Sequence, residues 1–293
     1  MTQAIVIITA LASALAAATS SVLQHRSARR APHDQTRQLL GHLVTHPAWL
    51  AGLVAAAVGL ALHAVALAHG QLAVVQPLLI SGLLFALPVS ALLEGRRPSA
   101  VEYLWAVALI AGLSAFLIAG RPARGQISLD ADVLAWATIG TVGAAGLFAL
   151  IGLRWPHGHG PALLGVAAGI GYGATAALLK QTSVLTQTGI GHMFTDWPFY
   201  VFVAVGGASI GMTQLAYRAG PLAHSMPALS VSDPAVSVAV GAFAFHEHLA
   251  TDPVSVLFEV LGFAVMAGAA TQLARRTKAA EDAPAEGTAQ ALQ

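Results

Sequence analysis

Long apolar segments separated by short polar stretches dominate the chain. A helix needs roughly 20 apolar residues, each rising about 1.5 Å, to cross about 30 Å of hydrocarbon. Segments of this kind recur along the sequence, and none contains more than one charged residue. The predicted spans are 4–23, 48–68, 72–93, 101–119, 132–152, 161–180, 197–217, 221–245 and 253–273. This pattern predicts an all-α, polytopic membrane helix bundle with about nine transmembrane helices.

The composition leads to the same class of protein. Of the 293 residues, 56% are hydrophobic and only 9% are charged, and the mean hydropathy is +0.71. Soluble domains carry about 25% charged residues, so this chain could not cover a water-exposed surface. The formal net charge of +1 gives no reason to expect a nucleic-acid partner. The absence of cysteine excludes disulfides and thiolate metal sites.

The distribution of Lys and Arg predicts the orientation. A secretory signal peptide carries basic residues before its apolar core, whereas here Arg26, Arg29 and Arg30 follow the first apolar run. With the N-terminus outside, the outer loops hold three basic residues, Arg121, Arg124 and Lys180, and the inner side holds the other eleven. The positive-inside rule therefore predicts a multi-pass cell-membrane protein with a retained first helix, an outer N-terminus and a cytoplasmic C-terminus.

Two stretches of the sequence resemble each other. "AHGQLAVVQPLLISGLLFALPVSALLEGRRPS" (68–99) aligns with "RAGPLAHSMPALSVSDPAVSVAVGAFAFHEHLATD" (218–252), and after a three-residue slip Glu94 aligns with Glu247. A weaker match joins "ATSSVLQHRS" (18–27) and "ATAALLKQTS" (174–183). At an offset of 150 residues, the identical pairs are Gly70 and Gly220, Leu72 and Leu222, Ala73 and Ala223, and Pro77 and Pro227.

This alignment predicts the domain organisation. Spans one to four correspond to spans six to nine, and the fifth span connects them. Because equivalent spans are five apart, an odd number, the two copies must cross the membrane in opposite directions. Inverted repeats are typical of secondary transporters, although a chance alignment of alanine-rich helices remains the alternative. The predicted units are a first repeat (1–119), a connecting helix with its loops (120–160), a second repeat (161–273) and a disordered cytoplasmic tail (274–293).

The Gly-x-Leu-Ala…Pro run with a helix-end glutamate, present twice, resembles the drug/metabolite transporter (DMT, EamA-like) superfamily. The nine spans and the outer N-terminus are similar to its NIPA-type magnesium transporter branch. This resemblance implies alternating access of a small solute or cation, with Mg²⁺ as one candidate, and no ATP hydrolysis. The sequence contains no Gly-x-x-x-x-Gly-Lys-Ser/Thr phosphate-binding loop, which agrees with that expectation.

Glycines recur at helical spacing in two spans. Gly165, Gly169 and Gly173 are four residues apart in the sixth span, and Gly207 and Gly211 have the same spacing in the seventh. Faces of small residues let transmembrane helices approach closely, so both sets are predicted to pack against neighbouring helices.

Two segments of the sequence contain closely spaced histidines, which are possible metal ligands. "WPHGHGP" (155–161) offers His157 and His159 but no third ligand nearby in sequence, and a turn is the favoured interpretation. In "FHEHL" (245–249), the two imidazoles would diverge by about 200° on a helix. Glu94 and Glu247 are predicted to lie at the membrane interface. No metal is assigned and no cofactor is expected.

Four ionisable residues within the spans are candidate substrate- or ion-binding groups: His63, Lys180, Asp233 and Glu259. Such residues are rare in membranes and usually face a cavity or a partner. The alternatives are that Lys180 extends to the surface, that His63 is a neutral packed imidazole, and that Glu259 is half solvated near the outer face.

Asp233 precedes Pro234 in the middle of the eighth span. An acidic residue followed by proline commonly starts a helix, so the pair predicts a broken or kinked helix there. Pro77 and Pro227 are further candidate break points. The corresponding residue of the first repeat is Leu83, so the fold alone does not require a carboxylate. Asp233 is therefore interpreted as facing a central cavity, or alternatively as a helix cap satisfied by Ser230 or Ser232.

These features favour a secondary transporter, with a channel-like or structural membrane protein as the alternative. No convergent group of catalytic side chains is apparent, so the chain is not expected to be an enzyme. The expected partners are the lipid bilayer and a small-molecule or cation substrate, and a homodimer is left open.

The charge distribution generates a topology prediction. A reporter fused after residue 276 should be active only in the cytoplasm, because the last span ends on the side that holds eleven of the fourteen Lys and Arg residues. Activity of that fusion outside the cytoplasm would contradict the nine-span arrangement.

Overall fold

The computed structural model describes residues 2–29, 47–94, 98–123, 125–155, 159–186, 189–219 and 222–282. Within these ranges the chain forms ten α-helices and a short 3₁₀ helix, Ile190–Phe194. The α-helices are α1 (Thr2–Arg29), α2 (Pro47–His69), α3 (Leu72–Ile80), α4 (Gly82–Glu94), α5 (Ala100–Gly120), α6 (Ala131–Arg154), α7 (Gly160–Leu185), α8 (Trp197–Ala219), α9 (Leu222–Phe243) and α10 (Pro253–Asp282).

Nine helical stretches in the described part of the chain are long and apolar enough to cross a membrane. Eight of them come from single helices, and α3 with α4 supplies the ninth, Leu72–Leu93. The described ranges contain no strand. Apart from the groups at their ends, helices satisfy their backbone hydrogen bonds internally, which a lipid environment requires. The predicted all-α polytopic bundle is confirmed, and the predicted bounds agree with the membrane-spanning stretches to within five residues.

Glycines lie at each of the three most extensive helix contacts, α1 with α2, α7 with α9, and α5 with α10. Between α1 and α2, the Ser13 hydroxyl donates to the carbonyl oxygen of Gly59 over 2.8 Å. Between α5 and α10, a Cβ on Gly112 would lie 2.7 Å from the carbonyl oxygen of Gly262. The backbones therefore approach more closely than any larger residue would permit.

The contact between α7 and α9 follows the glycine pattern of the sequence. A Cβ on Gly165 would lie 2.5 Å from the Ser225 carbonyl oxygen, and one on Gly173 would lie 2.7 Å from the Val236 side chain. A Cβ on Gly169 would overlap the Ser232 hydroxyl. The backbone of α7 is thus held directly against the helix that carries Asp233.

The prediction that Gly207 and Gly211 pack in the same way is wrong. A Cβ at either position would meet no atom within 4 Å in the described structure. The side of α8 that packs instead carries Ser209, Thr213 and Ala216, which are buried. The spacing of the glycines predicts a helix face without side chains. It does not show whether that face contacts protein or lipid.

The helix break occurs in the first half of the chain rather than the second. α9 runs without interruption from Leu222 to Phe243 and includes both Pro227 and Pro234. A break at Pro234 is therefore wrong, whereas the alternative of a kink there stays a prediction. The third span is divided instead, because α3 ends at Ile80, three residues after Pro77, and α4 begins at Gly82. The Ser81 hydroxyl between them donates to the Leu78 carbonyl oxygen over 2.6 Å.

The last helix is longer than the sequence indicated. α10 continues to Asp282, eight residues beyond residue 274, the predicted start of a disordered tail. The first part of that segment therefore extends the helix, and residues 283–293 lie outside the described residues.

The glycine contacts generate a stability prediction. Gly169→Leu should lower the free energy of unfolding by about 3 kcal/mol or more, because leucine would force α7 and α9 apart. Gly207→Leu is the matched control, since that position opens onto empty space, and it should unfold like the wild type. Chemical denaturation of the purified variants in detergent checks this. Equal stability of the two variants would contradict the close α7–α9 contact.

Candidate functional site

A cavity of about 810 Å³ lies within the bundle. Its walls come from α1, α2, α3 and α4 in the first half of the chain and from α7, α8, α9 and α10 in the second. Most lining side chains are apolar. The polar residues among them are Ser21, His63, Gln76, Tyr172, Thr175, Ser230 and Asp233. Two of the sequence-predicted site residues, His63 and Asp233, therefore face the same cavity.

Asp233 is the one acidic side chain among the described residues that line this cavity. It is the twelfth residue of α9, counted from Leu222, and no helix begins at Pro234. The described backbone therefore gives the helix-cap alternative no support. Ser232 donates its hydroxyl to the Ala228 carbonyl oxygen over 2.7 Å, whereas the partner of Asp233 is Ser237, whose hydroxyl donates to Oδ1 over 3.5 Å. One long hydrogen bond leaves this carboxylate with capacity for another ligand.

Pro234 makes a second oxygen ligand available in this part of α9, in addition to the carboxylate of Asp233. Proline has no N–H, so the carbonyl four residues earlier, that of Ser230, lacks its usual helical partner. Ser230 and Pro234 both line the cavity with Asp233. A carbonyl without its usual helical N–H partner, next to a carboxylate, is an arrangement suited to a cation.

His63 and Gln76 form a polar pair across the cavity wall. Nε2 of Gln76 lies 3.3 Å from Nε2 of His63, which connects α2 to α3. If the amide donates, the imidazole must accept at Nε2 and carry its proton on Nδ1. The sequence interpretation missed Gln76, although a buried amide inside the apolar run "LAVVQPLLI", directly before Pro77, was an available signal.

Lys180 and Glu247 form a buried ion pair at the end of the bundle where α7 and α9 end. Nζ of Lys180 lies 2.6 Å from Oε1 of Glu247, and the side chains are only 4% and 1% exposed. Oε1 also accepts the backbone N–H of Leu72 over 2.8 Å, and Oε2 accepts that of Ala73 over 3.0 Å. Nζ of Lys180 lies 4.2 Å above the ring centre of Phe245.

The segment after α9 brings Glu247 to this position. It pairs with the segment after α5: the Ala123 N–H donates to the His248 carbonyl oxygen over 2.8 Å, and the His248 N–H donates back over 3.2 Å. This pairing buries Phe245 and Glu247. Lys180 therefore does not extend to the surface. The carboxylate of Glu247 caps the start of α3 inside the protein, and its location at the membrane interface stays a prediction.

Glu259 lies apart from Asp233. It lines a separate groove of about 680 Å³ between α5, α9 and α10. Glu259 is only 9% exposed, so the half-solvated alternative does not hold, and its Oε1 has no hydrogen-bond partner among the described residues. The structure does not combine the two membrane carboxylates into one site.

The histidine motifs do not form a metal centre in the described part of the chain, where no group of three or more His, Asp and Glu side chains could hold an ion. His246 and His248 are exposed on either side of the buried Glu247. His159 directly precedes α7. His157 and the Glu94 side chain lie outside the described residues.

No protein-family model matches the chain, and no solved structure matches it. Among curated proteins, an uncharacterized protein of Corynebacterium glutamicum is 32% identical over 242 residues, which cover 79% of this chain and 81% of that protein. Identity of this extent, over most of both sequences, indicates common descent. The chain therefore belongs to the same family as this uncharacterized C. glutamicum protein.

Proposed function

We propose that the protein is a secondary transporter that moves a small, singly charged cation by alternating access. The observation that carries this proposal is the position of Asp233, a carboxylate in a cavity enclosed by helices from both halves of the chain. Intramembrane carboxylates usually mark substrate or ion pathways, and transporter sites commonly lie between two repeats. Membership of the drug/metabolite transporter superfamily stays a prediction.

The pattern of helix contacts supports the two-repeat arrangement. α1 packs on α2, and the equivalent α7 packs on α8. α1 also packs on α3 and α4, and α7 packs on the equivalent α9. The most extensive contacts that join the halves are α5 with α10 and α3 with α9, each of which pairs a helix with its own counterpart, and α2 also contacts α7. Such pairing is expected when a pseudo-two-fold axis relates the halves.

The oxygen ligands that line the cavity favour a monovalent cation over Mg²⁺. Magnesium requires near-octahedral oxygen ligands and usually combines one or two carboxylates with retained waters. Here Asp233 and Glu259 line different cavities, so a two-carboxylate magnesium site is not assembled. One carboxylate within largely apolar walls suits a proton or an organic ammonium group, whose remaining surface the walls would cover.

In the proposed cycle, the ion pair between Lys180 and Glu247 closes the cavity at the end of the bundle where α7 ends. It joins α7 and the segment after α9 to the start of α3, and thereby connects the two proposed repeats. Leu179, the neighbour of Lys180, lines the cavity. Opening that end during a transport cycle would require this contact to separate.

The substrate prediction concerns Asp233→Asn, which keeps the size of the side chain and removes its charge. Counterflow by the purified protein in liposomes should fall by about tenfold or more, because a charge-assisted hydrogen bond contributes roughly 1.5–3 kcal/mol. Asp132→Asn, an exposed acid at the start of α6, is the matched control and should transport normally. Candidate substrates are simple organic ammonium ions, with Mg²⁺ as a comparison.

Normal counterflow by Asp233→Asn, with unchanged dependence on pH and cation, would contradict the proposed role of Asp233. Flux through the wild type that rises linearly with concentration and never saturates would favour the channel-like alternative.

The closure prediction concerns Glu247→Gln. Leaving Lys180 buried without its counter-charge should lower the free energy of unfolding by about 3–5 kcal/mol. Thr175→Cys adds a thiol to the cavity wall of a chain that has no native cysteine. A thiol reagent added on the side of the membrane where α7 ends should label this cysteine faster when Glu247→Gln is also present than in Thr175→Cys alone. The double variant Lys180→Met/Glu247→Gln should recover part of the stability, since no unpaired charge remains. Reduced stability without faster labelling would identify the ion pair as a purely structural contact.

A further inference from the structure

Glu259 occupies a groove that the proposed transport cycle does not use. The groove is formed by α10 together with α5 and α9, and its floor includes the buried Phe116, Ala267 and Thr271. Along its rim Val231 and Val260 are exposed, at 38% and 61%. Since these residues belong to membrane-spanning helices, the open side of the groove faces the hydrocarbon of the bilayer.

A buried carboxylate oxygen at this position requires a partner. Oε1 of Glu259 is buried and forms no hydrogen bond in the described structure, and a polar group left unpaired in an apolar medium costs several kcal/mol. The surrounding wall near Glu259 consists of Leu249, Val260 and Phe263, which offer no side-chain donor. Among the described residues this oxygen is therefore left without a donor, and the open side of the groove gives a donor from the bilayer a route to Glu259.

The dimensions of the groove indicate what carries that donor. Glu259 lies six residues after the start of α10 at Pro253, which places it about 9 Å along the helix. The groove then continues to Gln272, a further thirteen residues or about 20 Å. One leaflet of hydrocarbon is about 15 Å thick, half of about 30 Å. The groove is thus long enough for one acyl chain, with the carboxylate at the end nearer the membrane surface.

We propose that this groove binds an aminophospholipid, with the acyl chain along α10 and the primary ammonium of the headgroup donating to Glu259. A primary ammonium carries three N–H donors and a positive charge, which match an unpaired carboxylate. A choline headgroup carries the same charge but has no N–H. The site therefore distinguishes ethanolamine from choline headgroups. This inference does not depend on transport.

Native mass spectrometry of the full chain, with matched phosphatidylethanolamine and phosphatidylcholine, tests the site. The wild type should retain one ethanolamine lipid with an affinity about tenfold or more above that for the choline lipid. Glu259→Gln should remove this preference, because it removes the charge and keeps the size of the side chain.

A second variant separates the groove from the carboxylate. Gly268 lines the groove, and a Cβ at this position would meet no atom within 4 Å. Gly268→Leu should therefore fill the groove and weaken retention of both lipids without disturbing the packing of the helices. Gly140→Leu on α6, where the added side chain also meets empty space, is the matched control and should retain the lipid normally. Equal retention of the two lipids by the wild type would overturn the proposal, as would an unchanged ethanolamine preference in Glu259→Gln or unaffected binding in Gly268→Leu.

Discussion

The carboxylate of Glu247 joins three parts of the chain that are far apart in sequence. It accepts two backbone N–H groups at the start of α3 and an ammonium hydrogen from Lys180 of α7. The first N–H groups of any helix have no partner within that helix, and inside a membrane protein they cannot rely on water. Lys180 is equally unable to remain buried without a counter-charge. Both requirements are met by one side chain, which fixes how α3, α7 and the segment after α9 are arranged.

The interactions of Glu247 lie at one end of the bundle, whereas the helix contacts nearer the middle of the bundle are formed at glycines. α5 meets α10 at Gly112 and Gly262, and α7 meets α9 at Gly165 and Gly169. Such contacts gain dispersion energy from closely approaching backbones. Between α5 and α10 the rings of Phe116 and Phe263 also pack together, with 6.0 Å between their centres. In the proposed cycle, opening the end of the cavity separates the polar contact between Lys180 and Glu247.

The sequence predicted the spans well and the site only in part. Length and hydropathy determine where a chain can cross a membrane, so the helices appear where the apolar segments indicated. Proline was less informative: Pro77 precedes a break and Pro234 lies in a continuous helix, because the outcome depends on whether neighbouring groups accommodate the unpaired carbonyl. The pair of Lys180 and Glu247 could not be found from spacing, since 67 residues separate them and only the folded loop brings them together. Intramembrane charge was the most useful single signal, because it identified His63, Asp233 and Glu259 but not which cavity each would face.

In the proposed two-repeat arrangement, the two halves of the cavity match in position but not in chemistry. Leu83 and Asp233, equivalent at the 150-residue offset, both line the cavity. The same position of the repeat therefore points to the centre from each side, apolar in one half and acidic in the other. The half with the leucine has the divided helix, and the half with the aspartate has the continuous one. A structural need shared by both repeats would have placed the same residue type in both. The difference is explained if the second half provides the charge that holds a cation and the first half provides a flexible apolar wall that closes over it.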